Sequence, residues 1–493
     1  MANAWVKGTM RRLALRVPPA LHYPGFRAYW LGLLASVGGF QILRFGQSWL
    51  IYQLTGSPLA LGYVALASGV SGMCLNLFGG VFADRFDQRR LIMTTQSVTA
   101  VLIFLQATLT LFDAVQVWHV VVIAFCVGAV EAFDGPARQV LYPHLIDRSV
   151  MVSAVALNSS IWQGTRIIAP AVAGLIIAWA GTAVAFYVAG LGFLTMAAMT
   201  YGLRVSGITR KGRGSAAHDI LEGLRFIAQN SAFSFLIAMT FFNSFFGLAY
   251  ITLMPVLAVS ILQVGARGQG VLMSVGGVAA LLTTLWLGSR RSVGSKGWLI
   301  IGGGVMSGLA VAALGLTSAF VGSFPLALAI MFVIGICNTT YTTAIQSSLQ
   351  MLVPDGMRGR VMGFYGMTYN ISPLGGMLAG GLADLISAPF AIAMGGLAVA
   401  AFAIGPAMLN GEVRNLGTLL RQVETAAPSG EGGTEGAQRR GGSAPPLLFR
   451  APRRPWRRCP RESSASGRGP APSSSAPGQR TLESGSRGAG SPS

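Results

Sequence analysis

The sequence predicts an all-α polytopic membrane protein of twelve transmembrane helices in two pseudo-symmetric six-helix bundles. Three observations predict it. Hydrophobic residues make up 52% of the 493 positions and charged residues only 11%, against about 25% charged in a typical soluble domain. Apolar runs of about 20 residues, the length that crosses a ~30 Å hydrocarbon core, recur as far as about residue 410. Finally, Phe125, Gly128, Glu131 and Gln139 of the fourth run recur at one constant offset as Phe332, Gly335, Asn338 and Gln346 of the tenth. An offset shared across two halves is the mark of a parallel internal repeat.

The elements follow in order. A basic leader, 1–25, carries Arg11, Arg12 and Arg16 ahead of Pro18 and Pro19 and lacks the apolar core and cleavage site of a signal peptide. Helix 1 is expected over 26–53. Helix 2 follows over 58–84 and closes on Gly79 and Gly80, where small residues admit a neighbouring helix. Helices 3 to 6 are expected over 89–112, 116–141, 150–178 and 182–203. The longest connection, 204–231, is a basic cytoplasmic linker, and Asp219 to Ala228 would place Ile220, Leu221, Leu224 and Ile227 on one side of a short helix. Helices 7 to 12 are expected over 232–259, 266–289, 297–318, 323–349, 358–384 and 388–410, several long enough to require tilt. The domains are thus an N-terminal bundle at 26–203 and a C-terminal bundle at 232–410. From 411 to 493 the chain is rich in Arg, Pro, Ser and Gly and reads as a disordered tail. Its Pro452–Arg458 stretch suits contact with anionic headgroups, against the blander reading of a solvated tail without a role.

Charge placement orients the chain. Lys7, Arg27, Arg85, Arg89, Arg90, Arg148, Arg204, Arg210, Lys211, Arg213, Arg225, Arg290, Arg291, Lys296 and Arg358 fall before helix 1 or in the even-numbered turns, whereas the odd-numbered turns hold only Arg267. Basic turns stay on the cytoplasmic side, so both termini are expected in the cytoplasm of a multi-pass protein of the plasma or inner membrane.

The same distribution argues against nucleic acid as a partner. The net charge of +20 is spread over short turns and the tail, with no basic patch on a soluble domain. Cys74, Cys126 and Cys337 sit inside apolar runs and Cys459 in the tail, with no metal-ligand spacing among them. No His precedes Glu in a zinc-protease pattern and none of the lysines completes a phosphate-binding loop. An enzyme, a metal site and an ATP-driven pump are therefore not expected. The expected partners are the lipid bilayer and a small-molecule substrate, with no cofactor, and the chain is expected to work as a monomer.

A charge inside the hydrocarbon costs about 2.5–3.5 kcal/mol on insertion scales, so the ionisable residues within predicted helices are the functional candidates. These are Arg44, Glu131, Asp134 and Arg166. At 1.5 Å rise per residue, Arg44 and Arg166 lie at similar depth, roughly 25 Å from the ends of helices 1 and 5 that face the basic turns. Two arginines at one depth suggest an anion-attracting cavity, with Glu131 as a protonation site for H+ coupling. Structural roles compete: Arg44 snorkelling to the outer interface, Arg166 bracing helix 5, and Asp134 pairing locally with Arg138 four residues on. Trp49, Trp162, Asn243, Asn338, Tyr341 and Asn370 offer stacking surface and neutral hydrogen bonds, with helix packing as the alternative for each. Such a lining suits an amphipathic organic molecule.

The turn between helices 2 and 3, Gly80 to Arg90, packs Asp84, Arg85, Asp87, Arg89 and Arg90 into a few residues. It resembles the loop signature of the major facilitator superfamily, with Asp87 where that pattern has Gly. The resemblance spans roughly 24–411. Trp49 to Pro58, Asp134 to Gln139 and Arg166 to Pro170 further resemble the branch of enterobactin exporters and drug:proton antiporters. The resemblance implies the major facilitator fold, H+-coupled efflux of drug- or siderophore-like molecules by alternating access, and a central path lined by helices 1, 4 and 5. It implies a conformational latch at Gly80, Asp84, Arg85, Arg89 and Arg90, and it marks Pro170 and Gly174 in helix 5 and Pro373 and Gly376 in helix 11 as hinge positions. Uptake or facilitated diffusion by the same fold stays open at this point.

Overall fold

Prolines and short polar residues set the helix boundaries. Pro24 and Pro58 lie in the first turns of their helices, where the missing N–H has no partner to lose. Asp87 accepts from the Arg90 N–H at 2.9 Å and caps the next helix, which gives a structural reason for the acid at that turn. The computed structural model describes residues 18–203, 224–229, 231–289, 296–353 and 355–409. The leader before 18, most of the linker and the tail lie outside these. Of the predicted linker helix, Leu224 to Ala228 is helical.

The first half consists of α1 (Pro24–Thr55), α2 (Pro58–Arg85), α3 (Gln88–Leu111), α4 (Val117–Leu141), α5 (Met151–Ala180) and α6 (Thr182–Tyr201). The second half consists of α7 (Ser231–Ile261), α8 (Gly265–Gly288), α9 (Lys296–Phe320), α10 (Phe324–Leu352), α11 (Asp355–Leu385) and α12 (Ala388–Leu409). Ten of these helical passes carry an apolar stretch of membrane-crossing length; α1 and α11 complete the twelve. Among the described residues there is no strand.

Two passes depart from the continuous helices expected. In α11 the helix stops at Tyr369, turns through Asn370 and Ile371, and restarts at Ser372. Pro373 has no N–H for the Tyr369 carbonyl, so the ladder is broken there. In α7, Leu248 donates to the Asn243 carbonyl at 2.8 Å and Leu262 to that of Leu257 at 2.8 Å, each one residue wider than an α-helical bond. These π-turns flank Pro255, which likewise cannot donate.

The repeat has a packing cause. α2 packs on α4 as α8 does on α10, and α3 on α6 as α9 does on α12. A Cβ on Gly128 would lie 2.3 Å from the Ser68 carbonyl oxygen, and one on Gly335 would lie 2.3 Å from that of Gly276. No side chain fits at either crossing, so the repeated glycines mark equivalent backbone contacts.

The halves meet along α2–α11 and α5–α8, with the same symmetry. A Cβ on Gly174 would come within 2.4 Å of the Ala266 oxygen and one on Gly380 within 2.7 Å of the Pro58 oxygen. The Tyr52 hydroxyl is 2.6 Å from that of Ser260, and Ser57 donates to Asp384 at 3.1 Å. All these contacts lie in the helix portions remote from the basic turns. Towards the basic turns the same faces are exposed: Ala156, Ser160 and Gln163 on α5, Leu281, Thr284 and Leu285 on α8, and Gly363, Gly366 and Asn370 on α11. The halves are therefore joined at one end and parted at the end that carries the basic turns.

Candidate functional site

The parted end leads to a recess between α1, α4 and α5. One face of α1 presents Val37, Phe40 and Arg44, α4 presents Glu131, Asp134 and Arg138, and α5 presents Asn158, Trp162 and Arg166. All fall at three- or four-residue spacing, which stacks them on single helix faces. Their lower part lines a cavity of about 250 Å³ that includes Phe40, Glu131, Asp134, Arg138, Asn158 and Trp162.

The floor is a buried polar network. Arg138 Nε lies 2.5 Å from Asp134 Oδ2, the local pair that the spacing allowed. Asp134 also accepts from the Thr95 hydroxyl at 2.8 Å, and Arg138 donates to the Ser36 hydroxyl at 3.0 Å. Ser36 in turn donates to Gln96 at 2.8 Å. Asp134 and Arg138 are 3% and 8% exposed; their charges cancel and their remaining bonding capacity ties α4 to α1 and α3. Burial of an ion pair this far from water requires such satisfaction.

The upper part is different. Arg44 and Arg166 are exposed in area, yet Arg44 is surrounded by protein, as a group lining a recess is. Arg44 lies within the electrostatic reach of both Arg166 and Glu131. Its guanidinium carbon stands 5.7 Å from the Phe40 ring centroid. Among the described residues, the one ion pair within 4 Å is that of Asp134 with Arg138, so neither Arg44 nor Arg166 is neutralised by direct contact with a described carboxylate. In the second half, the phenols of Tyr250 on α7 and Tyr369 on α11 both lie within the electrostatic reach of Arg166. Tyr369 shares a 3.0 Å hydrogen bond with Tyr365 one turn earlier.

The remaining predicted residues are placed as follows. Asn338 donates to Asn243 at 3.1 Å, clamping the first π-turn of α7 to α10. Asn370 is exposed at the break in α11. Trp162 is 43% exposed, whereas Trp49 and Tyr341 are 6% and 0% exposed and belong to the packed core. Pro170 sits within an unbroken α5, while Pro373 begins the second part of α11. A Cβ on Gly376 would meet the Thr252 hydroxyl at 2.6 Å. In the charged turn, Arg89 donates to the carbonyls of Thr200 and Tyr201 at the end of α6. A cation there complements the negative helix terminus. Arg90 is exposed. The side chains of Asp84 and Arg85, and any Cβ contact of Gly80, lie outside the described residues. At the same end, the Tyr23 hydroxyl donates to Asp147 at 2.5 Å, and this bond holds its phenol proton above the usual range. Among the described residues no cluster suited to a metal ion occurs.

Sequence reasoning missed Tyr250, Tyr365 and Tyr369. The four-residue spacing of the last two was a usable signal; the approach of Tyr250 and Tyr369 to within the electrostatic reach of Arg166 was not.

Comparison with known proteins gives a concordant result. The sequence pattern of the transmembrane secretion effector family matches residues 18–424. The multidrug efflux pump Tap of Mycolicibacterium fortuitum is 25% identical over 383 residues, 71% of this chain and 87% of that protein. The staphyloferrin A transporter of Staphylococcus aureus is 31% identical over 144 residues, 28% of this chain and 36% of that protein. In fold, a bacterial homologue of the human lysosomal transporter Spinster, inward-facing and unoccupied, aligns with a TM-score of 0.62 at 14% identity over 82% of this chain and 92% of its own. The nucleoside transporter NupG aligns at 0.57 and 14% identity over 80% and 98% of the two chains.

Proposed function

Because the chain belongs to the transmembrane secretion effector family of major facilitator transporters, we propose that it is a secondary active exporter of small amphipathic organic molecules. In this reading it works by alternating access in the cell membrane, coupled to H+ entry, with both termini in the cytoplasm. The observation that supports the reading is the recess lined by Phe40, Glu131, Asp134, Asn158 and Trp162, which opens where the two halves part. An exporter must collect its cargo from the cytoplasm, and the positive-inside asymmetry assigns the open end to that side. Named relatives act as a multidrug efflux pump and as a macrolide efflux protein, the latter of Streptococcus pyogenes.

Each residue has a task in this scheme. Arg44 and Arg166 hold the polar end of the cargo, while Trp162 and Asn370 line its path. Glu131 takes up and releases the coupling proton, because it is the acid of the recess not already held in an ion pair. Asp84 closes the cytoplasmic side by meeting the first turn of α11, where a carboxylate is stabilised by about 0.3–1 kcal/mol. In everted vesicles energised with a proton gradient, the wild type is expected to accumulate a dye and to do so less after a protonophore. Glu131→Gln is expected to abolish that protonophore sensitivity, and unchanged coupling would remove Glu131 from the mechanism.

A further inference from the structure

The charges of the recess do not balance. Asp134 and Arg138 neutralise each other, so Arg44 and Arg166 stand against Glu131 alone. Stacking of Arg44 on Phe40 orients the guanidinium without cancelling its charge. Two guanidinium groups on helices that pack together, both exposed, within electrostatic reach of each other and free of a described carboxylate, offer donors of the kind that bind an oxyanion. The walls around them are aromatic. Trp162 lies one turn before Arg166 on α5 with 43% of its surface exposed, and Tyr369, on α11 of the second half and within the electrostatic reach of Arg166, is 37% exposed. Tyr365 packs edge-on against Tyr369, ring centroids 5.6 Å apart, and bonds its hydroxyl, so the Tyr369 ring is held in place from behind.

We propose that the cargo is an aromatic organic anion, its oxyanion held between Arg44 and Arg166 and its ring between Trp162 and Tyr369. This rests on the transporter reading above and adds the chemical class of the substrate. The arginines exclude aromatic cations of the same shape by repulsion. Because the arginines belong to the first half and Tyr369 to the second, such a ligand would touch both halves at once.

The test compares 5-carboxyfluorescein with rhodamine 6G, which share a ring system and carry opposite charge, by fluorescence anisotropy on the purified full-length protein in detergent. The wild type is expected to bind carboxyfluorescein about tenfold or more tighter than rhodamine 6G. Arg166→Gln and Arg44→Gln are each expected to lose about that factor for the anion, whereas Arg166→Lys, which keeps the charge, retains the preference. Trp162→Ala and Tyr369→Ala are expected to weaken both dyes. Equal binding of the two dyes, or a preference for rhodamine 6G, would overturn the proposal, as would Arg166→Gln that melts like the wild type and keeps the preference. Vesicle transport is read separately: extrusion of rhodamine 6G but not carboxyfluorescein leaves an exporter with the wrong cargo assigned. Selective anion binding without movement of either dye would instead strike the exporter reading.

Discussion

Arg138 supports the site without facing the cargo. Its guanidinium satisfies Asp134 and Ser36 together, and truncating one partner of such a pair leaves the other charged and without a counter-ion. Arg138→Gln is expected to cost about 3–5 kcal/mol, seen as a lowered melting temperature in detergent. The double variant Asp134→Asn with Arg138→Gln should recover most of that loss, because neither charge then remains. Residues of this kind were legible in the sequence only where the membrane makes them conspicuous. Arg44, Glu131 and Arg166 stood out because ionised groups are scarce in hydrocarbon, and the Asp134–Arg138 pair followed from four-residue spacing. Ser36, Gln96, Tyr250 and Tyr369 did not, since neutral polar residues occur on every face of membrane helices. Trp49 shows the converse: a polar handle on an aromatic ring invites a cavity role, yet its ring is packed in the core. The partner of Arg89 was hidden for another reason. It bonds to main-chain carbonyls, which carry no residue-type signal.

At the scale of the element, the helix spans were readable to within a few residues because each must bridge the same apolar thickness. What the periodicity could not show was where a pass loses its hydrogen-bond ladder. Pro255 and Pro373 were visible, but a proline inside a helix does not announce whether the helix continues, as at Pro170, or stops, as before Pro373. The glycine seams were half legible: Gly128 and Gly335 emerged from the repeat and Gly174 from the family resemblance, Gly270 only from the fold. A Cβ on Gly270 would lie 2.5 Å from the Pro170 oxygen, so Gly174→Val and Gly270→Val should each force α5 from α8. The expected readout is cysteine labelling at Ala266, which packs against Gly174 in the seam. An impermeant reagent applied from outside should modify Ala266→Cys several-fold faster in the Gly270→Val background.

On the whole-molecule scale, the two halves repeat each other in their helix pairings, α2 with α4 as α8 with α10, and α3 with α6 as α9 with α12. The described state is open at the basic end, where Ser160 and Thr284 are exposed. If Asp84 latches that end shut in the other state, Asp84→Asn should raise the labelling of Ser160→Cys and Thr284→Cys by a cytoplasmic thiol reagent, in a background without Cys74, Cys126 and Cys337. Unaltered labelling would deny Asp84 the latch role. This organisation was legible in the sequence through the offset repeat and the alternation of basic turns. The side on which the halves touch was not, because the seam sets glycines against main-chain oxygens, which carry no signal of side.

The Asp134–Arg138 pair also bears on how the protein is made. A helix leaves the translocon before its neighbours have closed around it, so α4 meets lipid while α1, α3 and α5 are still finding their places. Three ionisable residues on one segment would each oppose that step by about 2.5–3.5 kcal/mol. Because Asp134 and Arg138 are partners on the same helix, they can enter already joined, as a neutral unit, and need no tertiary contact to do so. Only Glu131 then has to cross on its own, and as a carboxyl it can do that with a borrowed proton. The biogenesis of α4 is thus eased by a bond that the finished transporter keeps as the floor of its recess.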